Sequence, residues 1–225
     1  KSGIFSFALT GYTNAGKSTL LNRLTKSEVL AEDKLFATLD TTTRALTLSS
    51  SQKVLVSDTV GFIQNLPHSL IEAFSSTLEE ALNSDAIIIV ADASHPDSVK
   101  CFNTTIETLS TLGARDKVKL VVINKVDSIY DDISYSYLKS QGIETVETSM
   151  KTGEGIQNLL SAMERITDEV FETISLRIPY SSPILSELSK KEEIVDVKYE
   201  DYSIIVKARV RKTEKKRYEE LIEDN

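Results

Sequence analysis

The stretch GYTNAGKS, Gly11–Ser18, constrains this chain more than any other feature. It follows an apolar segment, IFSFALT at residues 4–10, and precedes an amphipathic segment at residues 17–25. The pattern G-x-x-x-x-G-K-[ST] between a strand and a helix is typical of a loop that surrounds a phosphate chain with backbone amides. It therefore favours an α/β fold with a ligand at the end of the strand. A glycine-containing turn without a ligand is the alternative interpretation.

Apolar runs alternate with segments of helical period from Ile4 to about Phe171. Such alternation predicts a mainly parallel sheet that is covered by helices on both faces. The predicted strands are residues 4–10, 45–49, 53–58, 86–92, 118–124 and 144–149, and the predicted helices are 17–25, 67–83, 97–112, 131–140 and 155–172. The strands at 45–49 and 53–58 lie too close for a helical crossover, so they predict a hairpin with one antiparallel edge strand.

The pattern changes after about residue 173. The predicted order there is a strand at 174–179, a helix at 183–193, strands at 194–199 and 203–211, and a charged helix at 213–223. This order predicts a small α+β domain of about fifty residues. We therefore expect two domains, residues 1–172 with the phosphate-binding loop and residues 173–225.

Composition limits the classes of protein to which the chain can belong. The net charge of −8 argues against a surface that binds nucleic acid everywhere, and the single cysteine, Cys101, excludes an internal disulfide framework. No apolar run reaches the roughly 18 residues of a membrane helix, and no signal peptide is visible. We expect a cytoplasmic protein. Because the chain begins with Lys1 rather than methionine, we also expect a preceding portion.

The residue types in the first motif suit phosphate chemistry. Gly11 and Gly16 let the backbone fold around a phosphate chain, since glycine adopts conformations that other residues avoid. Lys17 would bridge the outer two phosphates, and Ser18 would supply a hydroxyl to Mg²⁺. The predicted nucleotide-binding residues of this loop are Gly11, Tyr12, Thr13, Asn14, Ala15, Gly16, Lys17, Ser18 and Thr19.

Two later motifs indicate which base the nucleotide carries. In NKVD, Asn124–Asp127, the carboxylate of Asp127 can accept hydrogen bonds from the ring N–H and the exocyclic amine of guanine. Adenine lacks that donor pair and would leave the carboxylate unsatisfied. Lys125 would lie along the base plane, and Asn124 would tie this loop to the phosphate loop. The run SMK resembles the S-A-K loop that backs guanine. The predicted base contacts are Asn124, Lys125, Val126, Asp127, Ser149, Met150 and Lys151.

Two further segments complete a set of five motifs. In DTVG, Asp58 can hold Mg²⁺ through a water molecule, and the Gly61 amide can contact a third phosphate. The predicted contacts in these segments are Asp58, Thr59, Val60 and Gly61 of DTVG, and Phe36, Ala37, Thr38, Leu39 and Asp40 of FATLD. With FATLDTTTR and DTVGFIQNLPHSLIEAF, the chain resembles the HflX family, relatives of the Obg GTPases. The resemblance is close over about residues 4–172 and looser in the tail.

The resemblance implies a Ras-like fold, GTP and GDP as ligands, Mg²⁺ as cofactor and a GTP-binding domain over residues 1–172. It also implies that Thr38 binds Mg²⁺ together with Ser18 and closes over the third phosphate. Lys17 and Thr38 are thus the predicted catalytic residues. On spacing alone, Thr41, Thr42 and Thr43 are alternatives to Thr38.

Phe62 stands where Ras-like enzymes place the glutamine that orients the attacking water. A phenyl ring has no hydrogen-bonding group, so the chain is expected to hydrolyse GTP slowly without help. Asn14 resembles the asparagine of GTPases activated by K⁺, where the ion neutralises charge in the transition state. An asparagine chosen for turn geometry is an equally open interpretation.

The resemblance also implies a partner, the large ribosomal subunit, and a role in ribosome splitting, rescue or stress response. The basic run at Lys207–Arg217 is a candidate contact for ribosomal RNA, although such a run is more often a solvated face. A monomer without a membrane span is expected. Two alternatives remain open: a nucleotide-gated docking module whose hydrolysis is incidental, and an RNA-modification GTPase that acts with a partner enzyme.

Overall fold

A computed structural model describes residues 4–25, 42–50, 52–59, 81–191 and 193–222. The strands in these ranges are β1 (Phe5–Thr10), β2 (Thr42–Thr47), β3 (Lys53–Asp58), β4 (Ala86–Asp92), β5 (Val118–Asn124), β6 (Glu144–Thr148), β7 (Phe171–Pro179), β8 (Glu193–Tyr199) and β9 (Ser203–Arg211). The α-helices are α1 (Lys17–Thr25), α2 (Ser98–Thr111), α3 (Asp132–Lys139), α4 (Ile156–Val170) and α5 (Ile184–Lys191). Short 3₁₀ helices occupy Arg115–Lys117, Val126–Ser128 and Lys215–Leu221.

The described chain divides into two compact units. The larger unit comprises Phe5–Leu46 and Val54–Ala162, and the smaller comprises Lys1–Ile4, Thr47–Lys53 and Met163–Asn225. The second unit thus includes the turn between β2 and β3, which the sequence does not associate with it. The functional division into domains at residue 172 stays a prediction.

A six-stranded sheet in the order β2-β3-β1-β4-β5-β6 organises the larger unit. The strands β3, β1, β4, β5 and β6 are parallel neighbours. The residues of β4 from Ala86 to Ala91 are all buried, as expected for a strand with helices on both faces. In the core of the larger unit, Ile87 and Ile89 of β4 pack with Phe102 and Leu109 of α2 and with Leu138 of α3. The predicted mainly parallel α/β sheet is therefore confirmed.

The edge strand of this sheet differs from its predicted position. The sequence predicts a strand at 45–49, whereas β2 covers Thr42–Thr47. The exposed β-branched residues Thr42 and Thr43 extend the strand, although they add no apolar signal. Leu48 instead begins the turn, where its backbone N–H donates to the Gln52 carbonyl at 2.8 Å.

A three-stranded antiparallel sheet in the order β7-β9-β8 organises the smaller unit. Buried residues alternate along β7, where Ile174, Leu176 and Ile178 face a core that also holds Leu188 of α5. This period of two is the pattern of a sheet with one covered face. The small α+β arrangement predicted for the tail is present up to β9.

The predicted helix at 213–223 is wrong in type, since the structure has a 3₁₀ helix at Lys215–Leu221. The amide of Arg217 donates to the Glu214 carbonyl three residues earlier, at 2.9 Å. The first turn of this helix is positively charged through Lys215, Lys216 and Arg217, which opposes the dipole of an α-helix at its N-terminus. Burial of Tyr218 in the core nevertheless holds the turn in place.

Two smaller points concern the helices. The predicted helix at 67–83 lies outside the described residues except for residues 81–83, which are helical. The predicted helix at 155–172 ends at Val170, so β7 begins at Phe171 rather than at residue 174. None of the helices in the described ranges is both long enough and apolar enough to cross a membrane.

Candidate functional site

The described motifs lie at the carboxyl ends of neighbouring parallel strands. The phosphate loop follows β1, Asp58 ends β3, Asn124 ends β5 and the SMK loop follows β6. Because parallel strands bring these ends to one edge of the sheet, four segments distant in sequence converge there. Direct hydrogen bonds between the segments show how they are held together.

The backbone of the phosphate loop requires glycine at two positions. Gly11 has φ 143°, and a Cβ atom there would lie 2.3 Å from the Val90 carbonyl oxygen. Gly16 has φ 100°, and a Cβ atom there would lie 2.3 Å from Nδ2 of Asn124. Asn14 also adopts a left-handed conformation, with φ 61°. Asparagine tolerates this region better than most residues, so turn geometry accounts for its presence whether or not it contacts an ion.

Lys17 is buried at the start of α1, with 7% of its surface exposed. Its Nζ atom donates to the carbonyl oxygens of Gly11 at 3.2 Å and Tyr12 at 3.0 Å. Burial lowers the pKa of Lys17 to about 8, and the nearby negative charge of Asp58 partly opposes this shift. A buried ammonium with a lowered pKa is a group that an added phosphate chain would stabilise in its charged form.

Ser18 and Asp58 form the part of the site that suits a divalent cation. The Ser18 hydroxyl donates to Oδ2 of Asp58 at 2.5 Å, and Asp58 is 1% exposed. Hydroxyl and carboxylate oxygens are the ligands that Mg²⁺ prefers, directly or through water. Thr59, which follows Asp58, donates its hydroxyl and its amide to the Leu9 carbonyl and so fixes the end of β3 beside β1.

Asn124 links three loops from a buried position. Its Nδ2 atom donates to the Ala15 carbonyl in the phosphate loop at 2.9 Å. Its Oδ1 atom accepts the Met150 amide of the SMK loop at 3.2 Å. With 1% of its surface exposed, Asn124 is shielded from solvent, so these bonds are strong and hold the three loops together.

The carboxylate of Asp127 is oriented by Ser149, whose hydroxyl donates to its Oδ1 atom at 2.6 Å. This hydrogen bond is the main cause that lowers the pKa of Asp127 below its ordinary value, and it orients the carboxylate. Val126 and Asp127 begin the 3₁₀ helix that follows β5. An exposed, ionised and oriented acceptor is what a donor pair on a purine base requires.

The SMK loop is a closed turn. The Ser149 amide donates to the Glu154 carbonyl at 3.1 Å, and the Gly153 amide donates to the Ser149 carbonyl at 2.8 Å. The Lys151 carbonyl accepts a hydrogen bond from Arg23 at the end of α1, at 3.1 Å. Arg23 thus ties the loop to the helix that begins at the phosphate loop, a role that no sequence motif indicates.

Several predicted site residues lie outside the described ranges. They are Phe36, Ala37, Thr38, Leu39, Asp40, Val60 and Gly61, and the same applies to Phe62 and Thr41. The other two alternatives to Thr38 lie on β2, where Thr43 shares a hydrogen bond with the Ser57 hydroxyl at 2.8 Å. A side-chain hydrogen bond to β3 thus engages the Thr43 hydroxyl.

Asp92 is a site residue that motif matching missed. It ends β4 beside Asn124 and its carboxylate forms an ion pair with Lys125 at 2.7 Å. The sequence does carry a signal for it, because Asp92 is the polar residue that ends an apolar strand, just as Asp58 and Asn124 end mainly apolar strands.

Much of the charge in the basic segment Lys207–Arg217 is paired. Arg209 is 7% exposed, donates to Oε1 of Gln52 at 2.7 Å and pairs with Asp168. Lys215 pairs with Glu172 at 2.9 Å, and Arg217 pairs with Glu187 at 2.7 Å. The exposed cations of the segment that have no ion pair within the described residues are Lys207, Lys212 and Lys216.

Comparison with known proteins bears on this geometry. The family model described as "50S ribosome-binding GTPase" matches residues 6–125. A solved structure of a GTP-binding protein from Sulfolobus solfataricus in complex with GDP has a TM-score of 0.61 at 26% identity. That match covers 73% of this chain and 53% of the archaeal chain.

Curated relatives narrow the family. The GTPase HflX of Chlamydia pneumoniae is 41% identical over 223 residues, which are 99% of this chain and 47% of that protein. The GTPase HflX of Akkermansia muciniphila is 40% identical over 219 residues, 92% of this chain and 49% of that protein. The chain therefore spans about half the length of the curated relatives it matches. On this ground and on the family model, the chain belongs to the HflX GTPases, within the 50S ribosome-binding GTPase family.

Proposed function

We propose that this chain binds GTP and GDP together with Mg²⁺ and hydrolyses GTP to GDP and phosphate. The observation that carries the proposal is the joint position of Asp127 and the phosphate loop. Ser149 orients the Asp127 carboxylate, and Asn124 joins the same region to Ala15 of the phosphate loop. A base with two adjacent donors and a phosphate chain would be recognised together by this arrangement.

Each described residue has a task in this proposal. Lys17 and the amides of the phosphate loop would neutralise charge on the outer phosphates during transfer. Ser18 would bind Mg²⁺ directly and Asp58 would do so through water, and Thr38 is the proposed third oxygen ligand. The cation, when bound, screens the phosphate charges. The water-orienting glutamine is replaced by Phe62, which supports a low intrinsic rate.

A monovalent cation is the first proposed source of the missing activation. Asn14 is exposed on the phosphate loop and could present its amide oxygen to K⁺. The test is GTP turnover at equal concentrations of KCl and NaCl, with Asn14→Gly as a variant that keeps the left-handed turn. We expect faster turnover in KCl for the native chain and equal rates for the variant. Equal rates for the native chain would remove K⁺ from the proposal.

The second proposed source is the large ribosomal subunit, with which the chain would associate in the cytoplasm during ribosome splitting, rescue or a stress response. The support is the description of the matching family model. Lys207, Lys212 and Lys216 remain exposed for contacts with RNA phosphates, since the other cations of Lys207–Arg217 are largely engaged within the protein.

One experiment tests activity and partner together. GTP turnover is measured in KCl with and without purified large ribosomal subunits, and Lys17→Ala serves as the inactive control. We expect slow turnover alone and a many-fold rise with the subunits. No turnover under either condition would contradict the enzymatic proposal, whereas an unchanged slow rate would contradict only the ribosomal one.

The docking module is tested by subunit binding. Normal binding to the large subunit by the chain locked with a non-hydrolysable GTP analogue would favour the docking module.

A further inference from the structure

Asp92 ends β4, and the turn residues Ala93 and Ser94 follow it. This short segment lies beside the loop that would contact the base. The Ala93 amide donates to the Asn124 carbonyl at 2.9 Å, and the Ala93 carbonyl accepts the Tyr130 amide at 2.9 Å. These two bonds hold both ends of residues 124–130 to one residue of the neighbouring strand end. Residues 92–94 therefore clamp the predicted base loop from the side of β4.

Within this clamp, the carboxylate of Asp92 has a fixed orientation. Its Oδ1 atom accepts the Ser94 amide at 2.9 Å and the Ser94 hydroxyl at 2.6 Å. Its Oδ2 atom accepts Nζ of Lys125 at 2.7 Å. The Asp92 side chain is 13% exposed and that of Lys125 is 37% exposed, so the pair is partly shielded from water. Charge-assisted bonds in such a position are stronger than those between fully exposed side chains.

The backbone of Lys125 needs such an anchor. Lys125 adopts φ 64° and ψ 36°, a left-handed conformation that costs a residue with a side chain about 1–2 kcal/mol. Among the non-glycine residues of the described ranges, only Asn14 and Lys125 have a positive φ. Strain of this kind persists where surrounding contacts hold it, and it is common at ligand sites. The Asp92 ion pair and the Ala93–Asn124 bond supply those contacts.

We propose that Asp92, oriented by Ser94, is a positioning residue for guanine-nucleotide binding that acts through Lys125. By holding the ammonium group, Asp92 sets the direction of the apolar stem of Lys125, which would lie along the base plane. The inference rests on the proposed function, because it concerns the affinity of the same site. Asp92 is not required to touch the nucleotide, so its loss weakens binding without a direct change in the hydrolytic step.

The test is the affinity of the 225-residue chain for a fluorescent GDP analogue, measured for the native chain and for Asp92→Asn. The amide keeps the shape and one acceptor but loses the charge, so we expect affinity to fall about fivefold. The turnover number at saturating GTP should stay within about twofold while KM rises, since only binding is affected. Glu200→Gln, which removes the charge of the remote pair with Arg177, is the matched control and should leave affinity unchanged.

A double-mutant cycle shows whether Asp92 acts through Lys125. Lys125→Met keeps the apolar stem without the ammonium, so Asp92→Asn should lower affinity no further in that background. If Asp92→Asn folds poorly, Ser94→Ala serves instead and should give a smaller loss of the same sign. Unchanged affinity in Asp92→Asn, or an equal loss in both backgrounds, would overturn the inference. Failure of the native chain to bind the GDP analogue would instead overturn the proposed function.

Discussion

Individual residues of the candidate site are held in states that an isolated peptide would avoid. Lys17 has a buried amine, Asn124 has a buried amide, and Gly11 and Gly16 have backbones that an added Cβ would disrupt. Each state costs free energy and is maintained by the surrounding strand ends. Substitutions at this scale are therefore expected to affect stability and ligand binding together.

The lowered pKa of Lys17 predicts a pH-dependent contribution to stability. Between about pH 8 and the ordinary value of 10.5, the unfolded chain binds a proton that the folded chain has released. The free energy of unfolding of the nucleotide-free protein therefore gains a component that rises with pH over this window. Relative to Lys17→Met, the native chain should gain roughly 1–3 kcal/mol between about pH 7 and about pH 10. Urea denaturation of both proteins at several pH values measures this difference in the free energy of unfolding. A difference that stays constant with pH would show that the pKa of Lys17 is not lowered.

Gly16→Ala is expected to damage the site through Asn124. The new methyl group would lie 2.3 Å from Nδ2 of Asn124, so the amide must move and its bond to Ala15 is lost. We expect GDP affinity to fall more than about tenfold and stability to fall by about 2 kcal/mol. Gly142→Ala is the control, because Gly142 has φ 69° but no atom within 4 Å of the added methyl. Equal loss of GDP affinity in both variants would refute the steric explanation.

At the scale of elements, the loops of the candidate site are joined to one another by direct hydrogen bonds. Asn124 joins the loop after β5 to the loops after β1 and β6, and Arg23 joins α1 to the loop after β6. The phosphate loop was predictable because its glycines and lysine form a local pattern. The clamp by Asp92 was not, because its partner Lys125 is 33 residues away and only strand order makes them neighbours.

Ser149→Ala tests the loop after β6 as an element. The Ser149 hydroxyl donates to Asp127 and accepts the Thr152 amide at 3.2 Å, so its loss frees the carboxylate and loosens the turn. We expect GDP affinity to fall about fivefold, with a rise in the pKa of Asp127 toward its ordinary value. Ser140→Ala removes a hydroxyl bond to the Tyr137 carbonyl at the end of α3 and should leave affinity unchanged. Calorimetric titration with GDP measures the affinity of both variants. An unchanged GDP affinity in Ser149→Ala would contradict the orienting role of Ser149.

At the scale of the whole molecule, the chain forms two compact units with different sheets. The smaller unit recruits the turn at Thr47–Lys53, far from the rest of it in sequence. Arg209 of β9 holds this turn to the rest of the smaller unit, because its buried side chain donates to Gln52 and pairs with Asp168. A residue that the sequence assigned to a basic surface is thus part of the interior of this unit.

Arg209→Met is expected to destabilise the smaller unit. The apolar side chain fills the space but leaves the Gln52 amide oxygen buried without its donor, which costs about 1–3 kcal/mol. Asp168→Asn should cost less than Arg209→Met, because Asp168 is 58% exposed and the amide oxygen still offers Arg209 an acceptor. Urea denaturation followed by circular dichroism compares the two variants, with GDP affinity as a check on the larger unit. Equal destabilisation by both would show that the exposed ion pair, and not the buried hydrogen bond, matters.

The amino-acid sequence was enough to predict the parallel α/β sheet and to locate the phosphate loop and the NKVD motif, because continuous apolar strands and short motifs depend on local chemistry. The folded structure set the start of β2 at Thr42, the 3₁₀ form of Lys215–Leu221 and the burial of Arg209. It also decided the ion pair between Asp92 and Lys125. The burial of Arg209 and the Asp92–Lys125 pair depend on which side chains meet across segments distant in sequence, and a sequence pattern carries no record of such distances.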